Sequence, residues 1–229
     1  MAPHLRSNTA IDSAVDVVDS IAAALEADPA TAELAPLWLS LVGRGDAISA
    51  DLRAKRRLAR RARTRVAVAD AAWDPVVKSF ARGVLDIAQG RRDAPFYQRF
   101  FRSVAASEIV HYGPDREVMV GDAIVRELSG ESPRSSLADT WIPRLTPRTE
   151  QLRQAAQARR DAVAAIGPLL TAQFLYVEDV NLEIDRLEGA LQQIFPGDPA
   201  RVAAYFAGAR RDDAGAPDAA PAEPTPIAS

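Results

Sequence analysis

Residues 12–39 read DSAVDVVDSIAAALEADPATAELAPLWL, and residues 115–142 read DREVMVGDAIVRELSGESPRSSLADTWI. Laid over one another without a gap at an offset of 103, they share nine identities in 28 positions. The pairs are Asp12/Asp115, Val15/Val118, Val17/Val120, Asp19/Asp122, Ile21/Ile124, Leu25/Leu128, Leu34/Leu137, Ala35/Ala138 and Trp38/Trp141. Chance in a chain rich in Ala and Val gives roughly two or three. Shared periodicity would align apolar positions, but it does not align aspartates and tryptophans. The match therefore predicts an internal duplication. It continues more loosely downstream: residues 71–77 resemble 164–170, which makes Pro75 equivalent to Pro168, and Phe100-Phe101 resembles Tyr205-Phe206.

Each copy reads as a helical hairpin. A short helix over 9–27 or 114–129 comes first, with Ile11, Val15, Val18, Ala22 and Leu25 spaced by threes and fours along one face. Ser7, Asn8 and Thr9 are N-cap residue types, and Asp28-Pro29 and Gly130 punctuate the ends. A Pro-containing connector carries the tryptophan. A long helix follows, over 46–89 in the first copy and 149–195 in the second, each about 65 Å long. Its seam runs through Leu52, Lys55, Ala62, Val66, Ala69, Trp73, Phe80, Val84 and Ile87 in one copy. In the other it runs through Leu152, Ala156, Val163, Leu170, Phe174, Val177, Ile184, Leu187, Leu191 and Ile194. The near-heptad spacing predicts shallow, coiled-coil-like packing. Pro75 and Pro168 each remove a helical hydrogen bond and should kink or split their helices.

No stretch alternates with period two for long enough to make a sheet. The reading is an all-α antiparallel bundle of two tandemly duplicated hairpins with a pseudo-twofold axis. One domain spans 1–211, with repeats at about 9–102 and 112–207. Residues 212–229 carry four acids, no base and one aliphatic residue, Ile227, and should form a disordered tail.

Composition narrows the chemistry. There is no cysteine, which excludes disulfides, thiolate metal sites and cysteine nucleophiles. Two histidines, His4 and His111, leave little for a metal centre. Glu108 and His111 have the Glu-x-x-His spacing of di-iron bundles, but the second copy that such a site needs is missing. Phosphate-cradling glycine loops and nucleophile elbows are absent, so no cofactor and no catalytic residue are expected. The first twenty residues lack the apolar core of a secretory signal. The uncharged stretch 162–177 is shorter than the roughly 20 residues a bilayer needs, and reads as a buried helix segment. A cytoplasmic address with no membrane partner is the expectation. The arginine bias, with Lys55 and Lys78 the only lysines, reads as high-GC bacterial coding.

Two clusters remain as interaction candidates. Arg53, Lys55, Arg56, Arg57, Arg60, Arg61, Arg63 and Arg65 put eight cations into thirteen residues, enough to track a phosphate backbone. Arg53, Arg57, Arg60 and Arg61 stand out there, and the first three point well away from the seam. An internal balance is also available. With Pro75 beside Pro168 in an antiparallel pair, Lys55 falls opposite Glu188, Arg60 opposite Glu183 and Arg65 opposite Glu178. Phe96, Tyr97, Phe100, Phe101 and Tyr112 form the second cluster, either a cap over a bundle end or a docking patch for a partner.

With part of the basic run neutralised in that way, the sequence favours a non-enzymatic helical scaffold or adaptor that binds protein, with copies of itself among the candidate partners. The alternative is a nucleic-acid-associated helical protein using residues 53–65. The zipper separates them: if those cations are not met by residues 178–188, the nucleic-acid reading moves ahead.

Overall fold

The computed structural model describes residues 2–102, 104–130 and 135–208. Among the described residues there are helices and connectors and no strand, an all-α fold. In chain order the helices are α1 (Ile11–Ala27), α2 (Ala35–Ile87), α3 (Pro95–Phe101), α4 (Ala106–Ile109), α5 (Pro114–Ser129), α6 (Ser136–Ala164), α7 (Gly167–Ile194) and α8 (Pro199–Ala204). The tail at 212–229 lies outside the described residues.

The short helices fall where their periodicity puts them. The tryptophan phrases, read as connectors, are instead the opening turns of α2 and α6. Pro36 sits in the first turn of α2, where its missing N–H has no intrahelical partner to lose. Ser135 caps α6, its hydroxyl accepting from the Ala138 N–H at 3.1 Å. Pro75 leaves α2 unbroken, whereas Pro168 is the second residue of α7, just after a break at 165–166. Gln89 and Gly90, both at positive φ, terminate α2, with the Gly90 N–H bonded to the Leu85 carbonyl at 2.9 Å.

The chain makes two compact units, one drawn from Met1–Arg53 and Gly167–Ser229, the other from Ala54–Ile166. In the first, α1 buries Ile11, Val15, Val18, Ala22 and Leu25, as its spacing requires. Its partners are the first part of α2 and α7. Gly45 of α2 permits the close fit: a Cβ there would lie 2.7 Å from the Tyr176 hydroxyl oxygen and would also strike Val15. The Tyr176 hydroxyl is buried without a hydrogen-bond partner, and burial pushes its pKa up to about 12. Residues 2–9 run along α7. Glu188 accepts from the Ala2 N–H (3.1 Å), Asn181 exchanges hydrogen bonds with both backbone groups of Leu5, and Gln173 donates to the Thr9 carbonyl. The connector after α1 is tied to α8. Asp28 accepts from Arg201 at 2.6 Å and from the Tyr205 hydroxyl at 2.8 Å, and the Arg201 bond leads in holding its carboxyl down at about 2.

In the second unit the later part of α2 packs antiparallel on α6. Trp73 donates its indole N–H to the Thr149 hydroxyl at 3.1 Å, and the rings of Phe80 and Trp141 meet edge-on at 5.5 Å. Earlier on α2, Thr64 and Arg65 share a groove with Gln154 and Ala158. This register departs from the one that the prolines suggest. Proline pairing would set Trp73 opposite residue 170; it stands opposite Thr149, about six helical turns away. A buried indole N–H needs an acceptor, and the tryptophan–phenylalanine contact favours one alignment, so aromatic packing sets the register and the prolines do not. α3 closes this core: Tyr97, Phe100 and Phe101 are buried and Phe96 is half-buried.

Several seam positions also prove exposed, namely Lys55, Ile87, Val163, Leu170, Phe174 and Ile194. The stretch 162–177, expected to be buried, contributes only Tyr176 and Val177 to a core. Within 136–194, which α6 and α7 span, one window is long and apolar enough by length and composition to cross a membrane, with 17% of that window buried.

Candidate nucleic-acid interface

Residues 52–69 contain eight cations and no acid, with Asp51 and Asp70 at the two ends. The stretch is nonetheless a good helix former. Ala54, Ala59, Ala62 and Ala67 carry no side-chain entropy penalty, and arginine ranks high in helix propensity. Leu52, Ala62 and Val66 anchor it to the protein as its buried side, while Ala54 and Ala59 are half-buried. All eight cations are exposed, and among the described residues none makes an ion pair or a side-chain hydrogen bond. Their mutual spacing is unfavourable. Arg53/Arg57, Arg56/Arg60, Arg57/Arg61 and Arg61/Arg65 are like-charge pairs at i, i+4, each destabilising by about 0.2–0.5 kcal/mol.

Among the described residues, no ion pair joins the basic run to the acids at 178–188 as the expected charge zipper would. In the first unit the acids of α7 have other partners. Asp179 pairs with Arg44 at 2.7 Å, Asp185 with His4 at 2.7 Å, Glu188 with the Ala2 N–H, and Glu183 with Arg186 at 2.5 Å. In the second unit Arg65 lies beside neutral Gln154 and Ala158 rather than Glu178. Both follow from the register: the pairing of α2 with α6 through Trp73 and Thr149 leaves small and amide side chains facing the basic run.

The other candidates are placed as follows. Arg53, Arg57, Arg60 and Arg61 stand in solvent. Tyr97, Phe100 and Phe101 belong to the hydrophobic core of the second unit and offer little surface to a partner, while Phe96 stacks edge-on against Phe100 at 5.7 Å. Glu108 and His111 are exposed, and among the described residues no group of three His, Cys, Asp or Glu side chains is arranged to hold a metal ion.

One cluster is not apparent from sequence pattern. Glu117 of α5 is 1% exposed, and its Oε2 joins Asp70 Oδ1 and Asp74 Oδ1 of α2 as buried oxygens without hydrogen-bond partners. Burial first, then the close approach of the Asp70 carboxyl and the charges of Asp70 and Asp74, pushes the Glu117 pKa up to about 9, so the group is protonated at neutral pH. Burial and the Asp70 charge also raise Asp74, against the opposing pull of Lys78 at 3.5 Å and of His111. The sequence does carry one signal: Glu117 falls between apolar positions on the inward face of the second short helix.

No family model, no curated protein and no solved structure matches the chain.

Proposed function

We infer that this chain is a non-enzymatic nucleic-acid-binding protein that docks through the basic face of α2. The carrying observation is the run of eight exposed cations with no acid within it and, among the described residues, no ion-pair partner. Such a run repels itself, and a phosphate backbone relieves that repulsion while releasing condensed counterions. A cytoplasmic address goes with this reading. Titrating the protein against labelled DNA and RNA at 50 and 200 mM salt tests it. Binding that weakens steeply with salt is the expected result, and no binding to either at 50 mM overturns it.

A second reading, a scaffold acting through protein contacts, is favoured by the exposed apolar side chains of α7: Leu170, Phe174, Leu175 and Leu182. Mass measured in solution over a concentration series tests its self-assembling form. A monomer at every concentration removes it.

The fold reading that goes with both is a duplication at one constant offset of 103. Supporting it, residues buried in one unit match residues buried in the other: Ala14/Glu117, Val15/Val118, Val18/Gly121, Ile21/Ile124 and Leu25/Leu128 on the short helices. On the long ones the pairs are Trp73/Tyr176, Val77/Val180, Ala81/Ile184, Val84/Leu187 and Ala88/Leu191. Trp73 is then the counterpart of Tyr176, and Pro75 is not the counterpart of Pro168. An experimental structure in which the two sets fail to superpose would remove the duplication.

A further inference from the structure

Seven of the cations, Lys55 to Arg65, belong to the second unit, and their arrangement around the helix carries information beyond their number. At 3.6 residues per turn, each residue advances about 100°. Arg57 and Arg60 then form a crest opposite the buried side of α2. Arg56 and Arg63 lie on one flank, and Arg61 and Arg65 on the other. Residues 56–58, 60, 61, 63–65, 67 and 68 are all exposed, which leaves about 220° of the helix circumference open to solvent.

We propose that this segment of α2 enters the major groove of B-form DNA, with its two arginine flanks on the two phosphate backbones and Arg57 and Arg60 toward the groove floor. The proposal rests on the nucleic-acid reading above and names the class of nucleic acid.

Three features favour a duplex. An α-helix of 10–12 Å diameter fits a major groove about 12 Å wide, and cations on both flanks meet phosphates on both sides. A-form RNA offers only a deep, narrow major groove that side chains do not reach. Single strands are gripped by aromatic platforms, and residues 52–69 contain no aromatic side chain. A lipid surface would call for a broad apolar face turned outward, whereas the outward face here is mainly arginine, with Leu58 and Val68 its two large apolar side chains. The same residues limit sequence discrimination. The run offers no Asn, Gln, Asp or Glu, and Thr64, its one hydroxyl, donates to the Arg60 carbonyl at 3.3 Å. Arginine reaching guanine edges is the one form of base reading left.

The test is fluorescence anisotropy with the full chain. The probes are a labelled 20-base-pair DNA duplex, one of its strands alone and an RNA duplex of the same sequence, with vesicles containing anionic lipid as a further arm. DNA duplex should bind at least about tenfold more tightly than strand or RNA. Four flank contacts give a slope of log K against log salt of about −3.6. Arg56→Gln with Arg63→Gln should reduce that slope by about 2, and Arg61→Gln with Arg65→Gln should do the same. Arg153→Gln, which removes a cation already ion-paired in the same unit, should leave binding unchanged. Circular dichroism confirms that each variant is folded. Equal or tighter binding of single strand or RNA overturns the groove proposal and leaves nucleic-acid binding standing. A slope carried wholly by one flank does the same. Binding to no nucleic acid, with or without vesicle binding, overturns both.

Discussion

Two arginine-rich stretches of the second unit meet opposite fates. On α6, Arg153 is paired with Asp122 and Glu150, Arg160 with Asp115, and Arg148 is bonded to Gln151 at 3.1 Å. On α2, the cations between Lys55 and Arg65 have no such partners among the described residues. The difference lies in the neighbour. α5 lies along α6 and offers Asp115 and Asp122, one on its first turn and one two turns later, while the face of α2 over 55–65 that carries the cations is open to solvent. On the duplication reading the contrast sharpens, since Arg160 and Arg57 are counterparts and so are Asp115 and Asp12. Asp115 holds Arg160, whereas Asp12 accepts from the Ser49 hydroxyl instead. A charge run is therefore a neutral face or a binding face according to which helix packs beside it, and composition alone does not distinguish the two.

The largest losses concern the packing that fixes this arrangement. Trp73→Ala removes the fully buried ring that aligns α2 with α6, and Phe100→Ala opens the aromatic end of the same unit. Each should cost about 3–5 kcal/mol in urea unfolding. If Phe100→Ala costs less than about 1 kcal/mol, its burial does not support the unit, and the aromatic cluster returns as a docking patch.

Next is the buried acid, where the two units differ most on the duplication reading. Glu117, Asp70 and Asp74 stand where the first unit has Ala14, Gln173 and Val177. The folded pKa of Glu117, about 9, lies above its unfolded value, so the folded state binds the extra proton. The stability this contributes is complete below about pH 4.5 and falls as pH rises toward 9. Glu117→Gln removes that titration. The variant should match the wild type near pH 4 and exceed it by about 4–5 kcal/mol at pH 8, read from denaturant midpoints. A constant difference across that range would mean that the carboxyl is ionised in the fold.

Gly45→Ala asks whether the first unit depends on its own close approach. The added methyl meets Tyr176 and Val15, both buried, and should cost about 1–3 kcal/mol in the same measurement. The smallest effect belongs to the paired arginines. Asp115→Asn should cost no more than about 1 kcal/mol, because the Arg160 pair is exposed and screened. A larger loss would mean that ion pairing, rather than apolar packing, holds α5 on α6.

Much of this arrangement is legible in the amino-acid sequence. The threes and fours of α1 mark the residues it buries, and the acid-free run marks an exposed face. Register is not legible from the seam, because a near-heptad stripe says which side of a helix is inward and leaves the alignment along it open. The prolines are poor markers of alignment, since Pro75 is tolerated inside a helix and Pro168 begins one. The better clue is Trp73, whose indole N–H, once buried, requires an acceptor such as Thr149. Glu117 is hard to recognise because a lone acid on an apolar face reads as a surface residue until its neighbours are known.

The most direct test of the central claim compares the open run with the paired one in a single titration. Labelled DNA duplex is added to the wild type, to Arg57→Gln/Arg60→Gln/Arg61→Gln, and to Arg153→Gln/Arg160→Gln, at 50 and 200 mM salt. The account predicts that wild-type affinity falls about a hundredfold between the two salts. It also predicts that the α2 triple variant binds at least about tenfold more weakly at 50 mM, and that the α6 double variant binds as the wild type does. Equal affinities for the wild type and the triple variant, or no binding by the wild type at 50 mM, would contradict it.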